Sequence, residues 1–97
     1  MSAAICIAIR ERRLIRLSYD GGTRVVEPHA YGLSTAGHDI LRAYQDGGTS
    51  QSGSSRGWKL FRVDQVDSLN VLDDRFSGPR PGYKRGDRDM TSIYCQL

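Results

Sequence analysis

Cysteine and long hydrophobic runs are scarce in this chain of 97 residues. Its two cysteines, Cys6 and Cys95, stand almost the whole chain apart, and this spacing predicts neither a disulfide framework nor a thiolate metal site. We therefore expect reduced, half-buried thiols in a cytoplasmic protein. The longest apolar run, Ala3 to Ile9, is too short to cross a bilayer, and no basic leader or cleavage site accompanies it. These absences predict neither a membrane segment nor export.

Sequence motifs of catalysis are missing as well. The chain contains no Gly-rich phosphate loop, no H-E-x-x-H motif and no nucleophile elbow between a strand and a helix. Ser, His and Asp all occur, but no spacing between them forces them together. We therefore expect no catalytic residue, no metal and no cofactor, and we interpret the chain as a binding protein rather than an enzyme.

Charge of one sign is in only slight excess. Fourteen Lys and Arg against eleven Asp and Glu give a net charge of +3, which favours anionic partners weakly. The basic residues form two clusters: Arg10, Arg12, Arg13 and Arg16 near the start, and Arg80, Lys84, Arg85 and Arg88 near the end. Each cluster is either a patch for a polyanion or an ordinary solvated surface.

What is present is a pattern of short apolar stretches. Residues 3–13 have both a helical and a strand-like spacing of apolar residues, and we favour a helix because its basic end complements the terminal carbonyls. Strands are predicted from the alternation that follows, with turns between them. The predicted strands cover residues 14–19, 24–33, 38–45, 58–63 and 68–72, and the predicted turns cover 20–23, 34–37 and 63–66.

One domain of mainly β structure fits this pattern. With 38% hydrophobic residues, a chain of this size builds one core, and five to six short strands behind a helix predict a small barrel, residues 1–72. Residues 73–97 are rich in charge, Gly and Pro, and we expect an irregular C-terminal arm packed on the same domain, with a last short strand or helical turn at 91–97. Residues 46–57 hold mostly Gly and Ser and predict a mobile loop.

Three motifs follow one another along this pattern: RRLIRLSYDGGTRVVEPHAYGL, G-x-D-I-L-R-A-Y and WKLFRVDQVDSL. In this order they resemble a known family, the WYL domain. The resemblance runs from about Ile5 to Leu72 and implies a small Sm-like or SH3-like barrel with a leading helix. Such domains follow a helix-turn-helix in bacterial transcription regulators and sense a ligand, often a nucleic acid. This sequence carries no such DNA-reading domain, so the resemblance is to the sensing half alone.

The matched residues are Pro28-His29-Ala30, Arg42-Ala43-Tyr44, Trp58 and Phe61. Two positions differ from the family pattern. The aromatic triplet that names the family falls on residues 39–41, where only Leu41 is kept, and a basic pocket residue falls on Gln65.

The strand at 38–45 places Arg42 and Tyr44 on one side. A guanidinium beside an aromatic ring can hold a phosphate with a base stacked next to it, although an arginine lying over the barrel rim fits equally well. Arg56 and Trp58, where the Gly-rich loop re-enters the sheet, could close over a ligand, and Trp58 is the better candidate for simple core packing.

Pro28 cannot donate to a strand ladder, so it predicts an edge, a bulge or a break. It stiffens the chain next to His29, which is either an anion donor in a pocket or a structural hydrogen-bonding group. We expect His29 and Arg42 to share one cavity.

The segment RPGYKRGDR interleaves Tyr83 with Arg80, Lys84, Arg85 and Arg88, a pattern suited to a phosphate backbone, although Asp87 and Asp89 dilute it. We therefore predict a single-stranded nucleic acid or a small anionic ligand such as a nucleotide. The predicted contacts are His29, Arg42, Tyr44, Arg56 and Trp58 for the ligand, and Arg42, Arg80, Lys84 and Arg85 for nucleic acid. The alternative is an interaction module whose barrel edge and C-terminal arm pair with a second copy or a regulator.

Overall fold

The computed structural model of the protein describes residues 2–48 and 56–97. It contains one helix, α1 (Ser2–Glu11), and six strands. The Gly- and Ser-rich stretch for which we predict a mobile loop lies largely outside the described residues. The strands are β1 (Arg13–Tyr19), β2 (Gly22–Ser34), β3 (Asp39–Gly48), β4 (Gly57–Arg62), β5 (Val66–Arg75) and β6 (Met90–Gln96), with a 3-10 turn at Val63–Gln65.

The helix preferred from the apolar spacing is confirmed. Ile5, Ala8 and Ile9 share one face and are completely buried, which is the burial that a helix with this spacing produces. Arg12 follows the last helical residue, Glu11; its φ of 55° lies in the left-handed region, and its N–H donates to the carbonyl of Ile9 at 3.2 Å. The chain can therefore turn at once into β1.

The strands form one antiparallel sheet in the order β4-β3-β2-β1-β5, and β6 pairs with β2 off this path. The first turn follows from its residues, because Asp20 and Gly21 both have positive φ, as a two-residue hairpin turn requires. The mainly β prediction with one leading helix is thus confirmed. In the described residues no pairing joins β4 to β5, so the sheet is open and does not close into the barrel expected from the sequence.

Pro28 lies inside β2, the central strand, and of the edge, bulge or break that it predicts, a bulge is present. On one side of β2, β1 pairs only as far as Val26 and β6 begins at Ala30, so Pro28 falls between the two partners. On the other side the register with β3 shifts between Pro28 and Ala30. A residue without an N–H is tolerated there because the ladder is already interrupted, and the shift leaves His29 at the bulge.

Both faces of β2 are covered from Val26 to Gly32. One face carries the main core, in which Ile15, Leu17 and Leu41 pack with α1. The other face is covered by residues 76–89, the segment that links β5 to β6 and contains neither helix nor strand. Within the predicted C-terminal arm, Phe76 and Met90 are buried and β6 is a strand, so this region contributes to the packing of the domain.

The cysteine prediction is wrong, because Cys6 and Cys95 form a disulfide, with their Cα atoms 5.7 Å apart. The pair forms because β6 returns antiparallel to β2 and places Cys95 opposite Tyr31, where α1 also packs. The spacing of the two cysteines along the sequence does not indicate this proximity.

No helix in the described parts of the chain is long and apolar enough to span a bilayer. The cytoplasmic location stays a prediction.

Removing the disulfide with Cys6→Ala and Cys95→Ala together should lower the free energy of unfolding by about 4 kcal/mol. The cross-link closes a loop spanning a sequence separation of 89, and such a loop restricts the unfolded chain strongly. Denaturant unfolding measures the change. The wild-type protein under reducing conditions should match the double variant, and an unchanged unfolding midpoint in both would contradict a formed disulfide.

Gly32 is required where β2 and β6 approach each other. A Cβ atom built at this residue would lie 2.9 Å from Sδ of Met90 and would also collide with the β6 backbone. Gly32→Ala should therefore cost about 2 kcal/mol of stability through overpacking. Gly37→Ala is the matched control, since it meets no neighbour and only its positive φ, 85°, is strained. A smaller loss in Gly32→Ala than in Gly37→Ala would contradict this close packing.

Candidate functional site

His29 is fully buried at the bulge, and its two ring nitrogens both have partners. Nε2 lies 3.0 Å from the backbone nitrogen of Arg80, and Nδ1 lies 2.7 Å from the carbonyl oxygen of Glu27. A backbone N–H can only donate, so Nε2 must accept and Nδ1 must carry the proton that goes to Glu27. The geometry thus fixes His29 as a neutral ring in one tautomer.

Three aromatic rings enclose this imidazole. Their centroids lie 4.7 Å (Trp58), 5.0 Å (Tyr83) and 5.6 Å (Phe76) from that of His29. We refer to these four side chains as the His29 cluster. Burial lowers the pKa of His29, and this effect outweighs the hydrogen bond to the Glu27 carbonyl, which favours the protonated form. Phe76 was not anticipated as part of the cluster because it follows β5 in a stretch without apolar periodicity.

Arg80 binds the sheet beside the His29 cluster through two carboxylates. Its guanidinium donates two bonds to Glu27, at 2.9 and 2.8 Å, and one to Asp46 at 3.0 Å. The same group lies 4.5 Å from the centroid of the Tyr44 ring. The arginine that the sequence assigns to nucleic acid is therefore already held by the protein's own acidic groups.

The two carboxylates that hold Arg80 differ in acidity. Burial raises the pKa of Asp46 to about 6, helped by the neighbouring Glu27, with Arg80 opposing the shift. Burial would also raise the pKa of Glu27, but the hydrogen bond and charge of Arg80 reverse this, and the pKa is lowered. Glu27 is therefore the ionised partner of Arg80, while Asp46 takes up a proton in mildly acidic solution.

Arg42 is similarly occupied. Its Nε donates to Asp87 at 2.7 Å and its Nη2 to Asp89 at 2.6 Å. The proposed pairing of Arg42 with Tyr44 is replaced by one of Arg80 with Tyr44, since the 76–89 segment brings its own charges to both places. The sequence does contain a signal for this: Asp87 and Asp89 alternate with basic residues, as in a segment that forms ion pairs with the sheet.

A groove of about 560 Å³, which we call the basic groove, lies between this segment and the sheet; it is lined by Arg42, Trp58 and residues 82–89. Its lining residues include four cations and two carboxylates, a net charge of +2. The rings of Trp58 and Tyr83 lie 6.1 Å apart and within 23° of parallel. Nε1 of Trp58 donates to the carbonyl of Pro81 at 3.1 Å, and the Tyr83 hydroxyl donates to that of His29 at 3.3 Å. Both rings are thus held in place.

Four of the predicted contacts line this groove: Arg42, Trp58, Lys84 and Arg85. His29 lies behind the groove, where it touches Trp58 and Tyr83 without lining the wall, so the cavity expected for His29 and Arg42 together is not this one. Tyr44 and Arg80 lie beside it. Arg56 does not line the groove, and its Nε donates to the carbonyl of Asp46 at 3.0 Å.

The pKa of His29 should lie below 6.5, and its ring should carry the proton on Nδ1. Protonation would place a hydrogen on Nε2 against the Arg80 N–H, so the folded state resists it, and the stability contributed by His29 falls as the pH drops below 6.5. Nitrogen-15 NMR of the two histidines, assigned with a His38→Gln variant, measures both quantities. A pKa for His29 above 6.5, or a proton on Nε2, would contradict this geometry.

Comparison with known proteins assigns the chain to no family. No family model matches the chain, and searches of curated proteins and of solved structures return no match. Within residues 2–48 and 56–97, no group of three or more His, Cys, Asp or Glu side chains is placed to hold a metal ion.

Proposed function

We propose that the protein is a WYL-like sensing module that binds single-stranded nucleic acid, or a nucleotide-like anion, in the basic groove. The single observation that carries this proposal is the near-parallel pair of Trp58 and Tyr83 on a wall with net charge +2. Aromatic faces stack bases and cations follow the phosphates, which is how sequence-tolerant single-strand binding is built. The resemblance of residues Ile5 to Leu72 to WYL domains supports the same ligand class.

The cations of the groove have different roles in this proposal. Arg42 already binds two carboxylates, and we assign it the role of holding the 87–89 turn in position. Lys84 and Arg88 are exposed and have no ion pair with the described residues, so they are the natural contacts for phosphates. The Nε of Arg85 donates to the carbonyl of Leu97 at 2.7 Å. The other N–H groups of its guanidinium are available to an anion without loss of that bond.

The proposal is for binding rather than catalysis. His29 is the imidazole nearest the groove, and both its nitrogens are engaged in hydrogen bonds, so proton transfer through it would break one of them.

We further propose that the open sheet is a variant of the Sm-like or SH3-like barrel. In support, five strands pair in the order β4-β3-β2-β1-β5, and β2 is long enough to serve two partners on one side.

A second candidate function is an interaction module, favoured by the open sheet. In the described residues β4 pairs only with β3, and β5 pairs only with β1, so each presents an edge that can recruit a strand. The C-terminal arm is less suited to a partner than the sequence suggested, because Arg42, Glu27 and Asp46 bind it to its own domain. This candidate predicts a homodimer, or a complex with a regulator, through β4 or β5.

The double variant Lys84→Glu and Arg88→Glu should weaken binding of oligothymidylate at least about tenfold, because two phosphate contacts become repulsive. The chain has one tryptophan, so quenching of Trp58 fluorescence reports stacking in the groove directly. Titrations at low and high salt should give a salt dependence that is shallower in the variant than in the wild type, by about 1.4 in the logarithmic slope for two lost single-strand phosphate contacts.

The matched control is Arg10→Glu with Arg16→Glu, which changes the net charge equally at exposed residues outside the groove. If both double variants weaken oligothymidylate binding equally, the loss comes from the change in net charge and not from the basic groove. No quenching by any polyanion at low salt would end the nucleic-acid proposal. Light scattering then decides the second candidate, since a strict monomer at high concentration contradicts pairing through a sheet edge.

A further inference from the structure

A second concave surface lies on a different part of the molecule, between the start of α1, the β2–β3 turn and β6. It is a cleft of about 970 Å³, and the basic groove shares no lining residue with it. Tyr31 and Tyr94 form one wall, with ring centroids 5.0 Å apart in an edge-to-face arrangement. Val63 and Val66 also line it. We call this surface the acidic cleft, for the reason given next.

The charges of the acidic cleft are opposite to those of the protein as a whole. Asp39 and Asp64 line it, and the described lining residues include neither Lys nor Arg. Asp64 is paired with Arg62 at 2.7 Å. Asp39 has no ion pair within residues 2–48 and 56–97, and its neighbour His38, which also lines the cleft, contacts Arg62 at 3.2 Å.

Two neutral donors hold Asp39 in position instead. The hydroxyl of Tyr94 donates to Oδ1 at 2.8 Å, and that of Tyr31 lies 3.4 Å from Oδ2. The hydrogen bond to Asp39 raises the pKa of Tyr94, so this phenol stays protonated. A carboxylate has about four acceptor positions, and two phenols leave the rest available. The result is an oriented anion with two aromatic rings beside it.

We propose that the acidic cleft binds a small organic cation, an ammonium or guanidinium group attached to an apolar body. The cation pairs with Asp39 and meets the exposed ring of Tyr94, while the apolar body packs on Val63 and Val66. The ion pair with Asp39 and the contact with the aromatic ring both favour a cation over a neutral or anionic molecule of the same shape. The half-exposed ring of Tyr94, at 47%, is available for this contact.

Phenethylamine is the probe, and 2-phenylethanol is its neutral match in shape. In NMR titrations of the full chain, the amine should shift the amide signals around Asp39 and Tyr94 saturably and bind at least about tenfold more tightly than the alcohol. Asp39→Asn should abolish this preference while keeping the spectrum of the fold. Equal binding of amine and alcohol, or no saturable shift with the amine, overturns the proposal.

Two further variants test whether the preference for the amine depends on Asp39 in particular or on the net charge of the protein. Asp74→Asn removes the same charge at an exposed residue outside the cleft and should leave the preference unchanged. Tyr94→Phe keeps the ring but loses the bond that orients Asp39, and should weaken the amine by a few fold. A loss in Asp74→Asn equal to that in Asp39→Asn contradicts a specific site. If N-acetyl-lysine methylamide binds more tightly than phenethylamine, the occupant of the acidic cleft is a lysine side chain of a partner protein and not a small molecule.

Discussion

The ion pair between Arg80 and Glu27 is the interaction on which the arrangement of the candidate site depends. Glu27 is almost fully buried on the central strand, and a buried carboxylate without a partner is costly. Arg80 supplies that partner and, from the same residue, the backbone N–H that His29 accepts. One residue of the 76–89 segment thus fixes both the charge and the imidazole on the outer face of β2. Trp58 and Tyr83 then pack on a ring whose two nitrogens both have hydrogen-bond partners.

Local features of this fold could be predicted from the sequence, and features made by distant residues could not. The spacing of Ile5, Ala8 and Ile9 is enough for α1, and Asp20 with Gly21 is enough for the first hairpin, because each depends on neighbours in the chain. Pro28 likewise predicted an edge, a bulge or a break, of which the structure has the bulge. The open sheet was not foreseen, since strand patterns carry no information on whether the last strands meet.

Half of the eight predicted contact residues line the groove, and the ion pairs that hold its arginines were not predicted. Arg42, Trp58, Lys84 and Arg85 do meet in one groove, since β3, β4 and the 76–89 segment lie next to one another. Which acid binds which arginine depended on where that segment crosses the sheet, so the sequence could not distinguish Arg42 from Arg80 as the neighbour of Tyr44. The two concave surfaces consequently carry opposite charge, although the net charge of the chain is small.

The bond between Cys6 and Cys95 has a topological consequence. It joins α1 to β6, so the backbone from one cysteine to the other forms a covalent ring that holds all five remaining strands. A single proteolytic cut anywhere in that ring leaves one molecule rather than two fragments. The two parts of a nicked chain stay at high effective concentration, which favours renewed pairing of their strands for as long as the sulfur bridge is intact.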